Sequence, residues 1–333
     1  MFNNKNILLI APQFMNYEVE IVNKLQNLGA NVFYYNQRSV TSPIGRAASK
    51  KIPKFFKYHN INHYKKIFDE VSFVPDVILI IQADMLEKES IDEFRTRWPN
   101  TQINLYLWDN LANVKGVEKK LSWFDNAFSF DDADSKSNTN LTFLPLFFID
   151  KFYGNENKNL EYDLTFVGTV HSDRYKVLRD VERRMSALGK NMYMFKYLQA
   201  RWVYWLYWFM KPEFRKAKRN EFAYQTMNFQ DIERVINSSF AVLDIQHPKQ
   251  SGLTMRTIEM IGMGKKLITT NKSIRNYPFY NEDNILIIDR NNIQIPKSFF
   301  ESNFKAIDKE IIDDLRIESW LKKVLLLEKK NGF

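Results

Sequence analysis

Along the first half of the chain, short apolar runs alternate with stretches whose apolar residues recur at helical spacing. The runs Asn6 to Ala11, Asn31 to Tyr35, Asp76 to Gln82, Gln102 to Trp108, Asn126 to Phe130 and Leu141 to Leu144 predict strands. Between them, Tyr17 to Leu28 and Leu86 to Trp98 have the period of amphipathic helices. The first stops at Gly29 and the second before Pro99, as helices do. Nearly unbroken apolar strands such as DVILII, separated by helices, predict a parallel sheet covered on both faces.

The polar stretch KFYGNENKNL (151 to 160) has neither period and predicts a linker. The alternation then restarts with strand Asp163 to Val167, helix Asp173 to Leu188 and strand Met192 to Tyr197. After an interruption come helix Phe229 to Asn237, strand Phe240 to Ile245, helix Leu253 to Met263, and strands Lys266 to Thr270 and Ile285 to Asp289. A final helix is expected over Asp308 to Leu327, with Ile311, Ile312, Leu315, Trp320, Leu321 and Val324 facing inward. The expected fold class is therefore α/β, two tandem Rossmann-like domains facing a central cleft. The expected boundaries are 1–150, 161–307 and a C-terminal helix at 308–333.

A length of 333 residues suits two domains of about 150 residues each. With 45% hydrophobic and 26% charged residues, the composition is that of a soluble globular protein. The lack of cysteine excludes disulfides, thiolate metal sites and cysteine nucleophiles. The apolar part of MFNNKNILLIAP is too short for a signal-peptide core, so a cytoplasmic location is expected.

Charge adds a partner class. The formal net charge is +9, and from Arg38 to Lys66 there are eight Lys and Arg with no Asp or Glu. A second cluster, Lys211, Arg215, Lys216, Lys218 and Arg219, follows the aromatic run Trp202 to Met210. Both favour an anionic partner: phosphate groups, acidic lipid or nucleic acid. The aromatic run is far short of the ~20 residues of a membrane span. It reads either as an interfacial element on acidic lipid or as a buried helix with a solvated basic tail.

The segment SGLTMRTIEMIGMG carries the candidate chemistry. Gly252 permits a close turn, and the N–H groups of Leu253, Thr254 and Met255 at the start of a helix suit a diphosphate. Arg256 would add a charge-assisted contact, and Glu259, one turn further, can accept hydrogen bonds from a ribose diol. The plainer alternative is a surface Arg256–Glu259 pair at i, i+3.

The second half, from YDLTFVGTVHSDRYKVL through NSSFAVLDIQHPKQSGLTMRTIEMIGMGKKLITTN to YPFYNEDNILIIDR, resembles bacterial glycosyltransferases of the two-Rossmann GT-B architecture. The likeness is to the lipopolysaccharide and capsule group with a spore maturation glycosyltransferase-like domain. YLWDN, WFDNAFSFDDAD and FLPLFF extend it into the first half. The resemblance implies a ribose role for Glu259. It also implies a donor-phosphate role for Gly168 and Thr169 in the turn after the first strand of the second domain, with Arg174 as the cation. One departure is Ser251, where many retaining members carry a glutamate eight positions before the ribose-binding one.

The implied reaction moves a sugar from a nucleotide-sugar donor to a surface glycan, on a polyprenyl diphosphate carrier, at the inner face of the cell membrane. The enzyme would touch anionic lipid peripherally. A helix start with Arg256 and Arg174 would serve in place of a metal, and no cofactor is implied. Asp109 is the preferred base for the acceptor hydroxyl, with Asp84 in an equivalent place after another strand. The rival is a non-catalytic nucleotide or sugar binder of the same architecture. Nucleic acid is not expected as a partner, because no binding motif occurs and the cations are confined to two segments. DDAD (131 to 134) reads as helix capping, His59 and His63 as surface histidines, and His171 as a loop histidine within reach of a phosphate.

Overall fold

The computed structural model describes residues 1–42, 45, 49, 52–114, 116–154, 159–248 and 250–326. They form two compact units. One runs from Met1 to Leu146 and takes back the chain from Ile317; the other is Phe147–Arg316.

In the first unit the strands are β1 (Asn6–Ala11), β2 (Asn31–Asn36), β3 (Val77–Ile81), β4 (Gln102–Leu107), β5 (Asn126–Ser129) and β6 (Thr142–Phe143). Among its helices are α1 (Tyr17–Asn27), α2 (Pro53–Lys65), α3 (Ile67–Glu70), α4 (Lys88–Arg97) and α5 (Asp132–Ser137). The sheet has the order β2-β1-β3-β4-β5-β6 and is parallel throughout. All five residues of β3, VILII, are buried, as expected for a central strand covered on both faces. Gly29, at φ 94, supplies the left-handed residue that ends α1.

The second unit repeats the architecture with β7 (Tyr162–Thr169), α6 (Arg174–Ala187), β8 (Met192–Tyr197), α7 (Arg201–Met210), β9 (Phe222–Ala223), α8 (Phe229–Asn237), β10 (Ser239–Asp244), α9 (Met255–Gly262), β11 (Lys266–Thr269) and β12 (Ile285–Ile287). Its order is β12-β11-β10-β7-β8-β9, again parallel. The order reverses between β7 and β10, which is where ligands enter sheets of this kind.

The expected domain limits differ from the observed ones in two places. Residues 155–158 of the expected linker lie outside the described residues, but its beginning belongs to the second unit: Phe152 is buried with its ring 5.5 Å from that of Phe229. The long final helix is two helices, α10 (Lys309–Asp314) and α11 (Ile317–Leu325). The break comes at Leu315, whose carbonyl accepts from Phe148 N–H. Ile311 and Ile312 are consequently only half-buried, whereas Leu315, Trp320, Leu321 and Val324 are buried.

A polar residue explains how α11 joins the first unit. Asn104, buried in the middle of β4, donates to the Val324 carbonyl at 2.8 Å, and Gln102 donates to Leu325 O at 3.1 Å. Two orphan carbonyls of the last turn are met in this way. Trp320 packs edge-on to Tyr106 at 4.9 Å.

Helix α9 passes so close to Phe148 that a Cβ on Gly262 would lie 2.6 Å from the ring. Gly262→Ala is expected to cost about 1–3 kcal/mol through overpacking, despite the better helix propensity of alanine. Urea denaturation checks this, and an unmoved or higher midpoint would refute it.

Candidate active site

At the carboxyl end of the second sheet, two arginines hold strand ends in place. Arg174, the first residue of α6, donates from Nε to Ile245 O at 2.6 Å and from Nη1 to Thr169 O at 2.9 Å. It thus ties the end of β7 to the end of β10 at the point of strand reversal. Arg290, just after β12, donates from Nη1 to both oxygens of Asp173, at 2.7 and 2.9 Å, and from Nη2 to Gln246 O at 2.5 Å. Asp173 precedes α6 without capping it by a side-chain bond. Its carboxylate is committed to Arg290 instead.

A pocket of about 400 Å³ opens beside these ties. Its walls include Gln246, Gln250, Ser251, Thr270, Asn271, Lys272 and Arg290, from the carboxyl ends of β10, β11 and β12. A larger hollow of about 570 Å³ lies at the opposite edge, near Ser239, Lys265 and Lys266. Of the lysines that line it, Lys265 is spent on the main-chain carbonyls of Asn237 and Ser239, and Lys266 on those of Phe299 and Ser302. Burial pushes the Lys265 ammonium down to about 8. Between these two, strand polarity and chemistry both favour the smaller pocket as the site.

Two imidazoles stand on the same edge. The rings of His171 and His247 are 5.8 Å apart. Burial, then the charges of Arg174, His247 and Lys211, push His171 down to about 4. It is neutral at pH 7.

Several expectations change here. Gly168 and Thr169 do not form a turn; they continue β7, paired with Lys196 and Tyr197 of β8. The turn lies over Val170 to Asp173, with Ser172 at φ 53. Gly252 and Leu253 are buried ahead of α9, which begins only at Met255. Thr254 caps it, its side chain accepting from Thr257 N–H at 3.2 Å. The hydroxyls of Thr254 and Thr257 both donate to Asp244, at 2.7 and 2.8 Å. A carboxylate therefore already sits behind the first turn, where the sequence suggested a diphosphate.

Arg256 and Glu259 do pair, at 2.8 Å, but not on the surface: their side chains are 17% and 6% exposed. At that depth, losing one partner strands the other.

In the first unit, Asp109 follows β4 and its Oδ1 accepts from Asn110 N–H at 3.0 Å and Asn113 Nδ2 at 2.8 Å, bracing its own turn. Asp84 follows β3 and accepts from Gln37 Nε2 at 2.6 Å. Gln82 and Ala83, between β3 and Asp84, have φ of 75 and 85. Such backbone costs about 1–3 kcal/mol per residue and persists only where neighbours hold it. Here Gln82 Oε1 accepts from Trp108 N–H and Gln37 Oε1 from Ala83 N–H.

Asp131 caps α5 by accepting from Ala133 N–H. His63 contacts Asn36 O at 2.7 Å and His59 contacts Ser39 O at 3.1 Å. Among the described residues no group of three His, Asp or Glu is arranged to hold a metal. Arg46, Lys50 and Lys51 of the first basic segment lie outside the described residues, and Lys57 pairs with Glu89 at 2.6 Å.

Arg290, Asp173, Gln246, Asn271 and His247 were not picked out from sequence. Their common signal is position: each polar group follows an apolar strand directly, as in ILIIDR, VLDIQH and LITTN, or opens the helix after one, as in HSDR.

No protein-family model matches the chain, and no curated protein sequence matches it. Solved structures do. A glycosyltransferase from Rickettsia africae is 13% identical, with 99% of this chain and 100% of that one covered and a TM-score of 0.57. The lipopolysaccharide outer core galactosyltransferase WaaB, in its apo form, is 12% identical over 97% of this chain and 96% of that one, with a TM-score of 0.53. HepE of Anabaena, in complex with UDP and glucose, is 9% identical over 97% and 96%, with a TM-score of 0.54. The fold class is GT-B.

Two outcomes follow from this geometry. His171 gains its proton near pH 6.5 in the unfolded chain and near 4 in the folded one. Its effect is thus a loss of stability as pH falls from about 6.5 to about 4, with none above that window. His171→Gln should flatten that part of the stability profile, measured by urea denaturation; an unchanged slope would count against the shift. Separately, Glu259→Met is expected to cost about 3–5 kcal/mol by leaving Arg256 without its partner, and Arg256→Met with Glu259→Met should cost much less than the two single changes together. Additive losses in that double-mutant cycle would contradict the coupling.

Proposed function

We propose that this protein is a glycosyltransferase that takes a sugar from a nucleotide-sugar donor and adds it to a bacterial surface glycan at the anionic inner face of the membrane. The observation that carries the reading is the polar pocket of about 400 Å³ at the carboxyl ends of β10, β11 and β12, lined by Lys272 and Arg290 with Asp289 between them in its wall, in a chain of GT-B fold. Its volume falls in the range of small-molecule sites, about 300–1,000 Å³. HepE, of the same fold, was solved with UDP-glucose.

In this reading the donor diphosphate lies beside Arg290 and Lys272, with Arg174 and the Gly168–Thr169 strand end behind it. The segment Gly252, Leu253, Thr254 and Arg256 approaches it from the start of α9. Glu259 takes the ribose hydroxyls, as the family resemblance implies. The reaction breaks the bond between the anomeric carbon and a diphosphate oxygen and forms one to the acceptor oxygen. Charge grows on the diphosphate as it leaves, so fixed cations beside it lower the barrier without a metal ion. The acceptor proton passes to Asp109 at the carboxyl end of β4. The acceptor is a glycan, carried on polyprenyl diphosphate.

A thermal-shift screen against UDP, GDP, dTDP and CMP sugars tests the reading, because a ligand bound only by the folded state raises the melting temperature. One donor is expected to do so, and Lys272→Ala to weaken it by about tenfold, the value of one charge-assisted contact. No shift with any donor would sink the proposal. Binding without transfer to any glycan would favour the non-catalytic rival.

A further inference from the structure

Helix α7 carries two apolar stripes instead of one. Val203 and Tyr204 are buried, and half-buried Tyr207 and Trp208 pack beside them against the second core. The opposite stripe is Trp202, Trp205, Leu206 and Phe209, at i, i+3, i+4 and i+7, followed by Met210. These five are 65, 47, 41, 70 and 69% exposed. Trp208 belongs to the inward set, so the three tryptophans do not act as one group. After Arg201 the helix has no charged residue, whereas an ordinary surface helix turns a polar face to water.

Charge identifies what such a face meets. Residues 201–221 hold six cations against two acids. Arg201, Arg215, Lys216, Lys218 and Arg219 are exposed; Glu213 and Glu221 are half-buried. Glu221 already engages Tyr175 and Lys196. The basic stretch is fastened beside the helix, with Tyr204 Oη donating to Ala217 O at 2.9 Å and the Arg219 guanidinium 5.7 Å from the Trp205 ring. Ten helical residues span about 15 Å, half of a bilayer core. Among the described residues no helix is long and apolar enough to cross a membrane.

We propose that α7 lies flat in an anionic lipid surface. Trp202, Trp205, Leu206, Phe209 and Met210 enter the boundary between headgroups and acyl chains, and Arg215, Lys216, Lys218 and Arg219 meet the lipid phosphates. Indole rings favour that boundary, and a rim of one sign fits a surface of uniform charge better than the mixed rim of a protein partner. This deepens the membrane part of the function proposed above by naming the surface and rests on that part alone. It is tested without donor or acceptor, so its failure leaves the transfer reading standing.

The test is flotation of the full chain with phosphatidylcholine vesicles, with and without phosphatidylglycerol. The chain should rise with the anionic vesicles, and brominated acyl chains should quench its tryptophan fluorescence. Trp202→Ser, Trp205→Ser and Phe209→Ser together should lower vesicle affinity by at least about tenfold, with the melting temperature retained. Replacing Arg215, Lys216, Lys218 and Arg219 by Ser should abolish the preference for anionic lipid. Should the triple variant fold poorly, quenching of the wild type and the charge variant decide. A wild-type chain that does not rise overturns the proposal, and so does a triple variant that binds normally. A lipid-free dimer that the triple variant turns into a monomer would assign the stripe to a second copy and overturn it as well.

Discussion

The guanidinium of Arg174 is the constraint on which the second unit's site depends. It donates to Thr169 O and Ile245 O, on the two strands between which the sheet order reverses. At such a point the connections on either side leave in opposite directions, and a crevice opens between them. A charged fork bonded to both strand ends fixes how far that crevice opens. Burial pulls the Arg174 pKa down, but a guanidinium remains charged throughout the accessible pH range. The site therefore contains a permanent positive charge whatever else it holds.

Arg290 extends the same device one layer outward. By holding Asp173 and the Gln246 carbonyl, it joins the end of β12 to the start of α6 and to the segment after β10. These cations are already bonded to protein groups, so they need no rearrangement to present positive potential. That is the property a site needs if it is to stabilise charge that develops during a reaction. Asp173 and Asp244 limit the excess, and neutral His171 adds nothing to it at pH 7.

The alternating apolar runs reveal every described strand except the two-residue β9, because burial on both faces leaves little choice of residue; the expected bounds of strand Asn6–Ala11 and of helix Phe229–Asn237 agree with the observed ones to the residue. Elements set by long-range contacts were not legible. Nothing local to Leu315 announces that its carbonyl bonds Phe148, so one helix was expected where two exist. Helix α2 was hidden by its own composition, since Lys54, Lys57 and Lys65 read as a basic segment before they read as the outside of a helix. The site divides in the same way. Arg174 was found because it stands beside a recognisable strand end. Arg290 was missed because its partner Asp173 is 117 residues away. The likeness that drew attention to Glu259 carries no information about depth, and the Arg256–Glu259 pair, whose plainer alternative was a surface one, lies in the interior.

The exposed helix and the site are adjacent parts of one structure. Lys211 ends α7, its N–H bonded to Tyr207 O and its ammonium 4.2 Å from the Tyr207 ring. The same ammonium donates to Ser172 O, in the turn between β7 and α6 that also presents His171. Burial lowers the Lys211 pKa, yet its charge is one of those that keep His171 neutral. The end of the apolar helix is thus bonded to the turn between β7 and α6. A hydrogen bond links the end of α7 to Ser172, and the charge of Lys211 acts on His171. The two apolar stripes of α7 follow from this arrangement: the inner one anchors the helix against Phe214 and Phe222 so that Lys211 keeps its place, and the outer one is left to meet what lies outside.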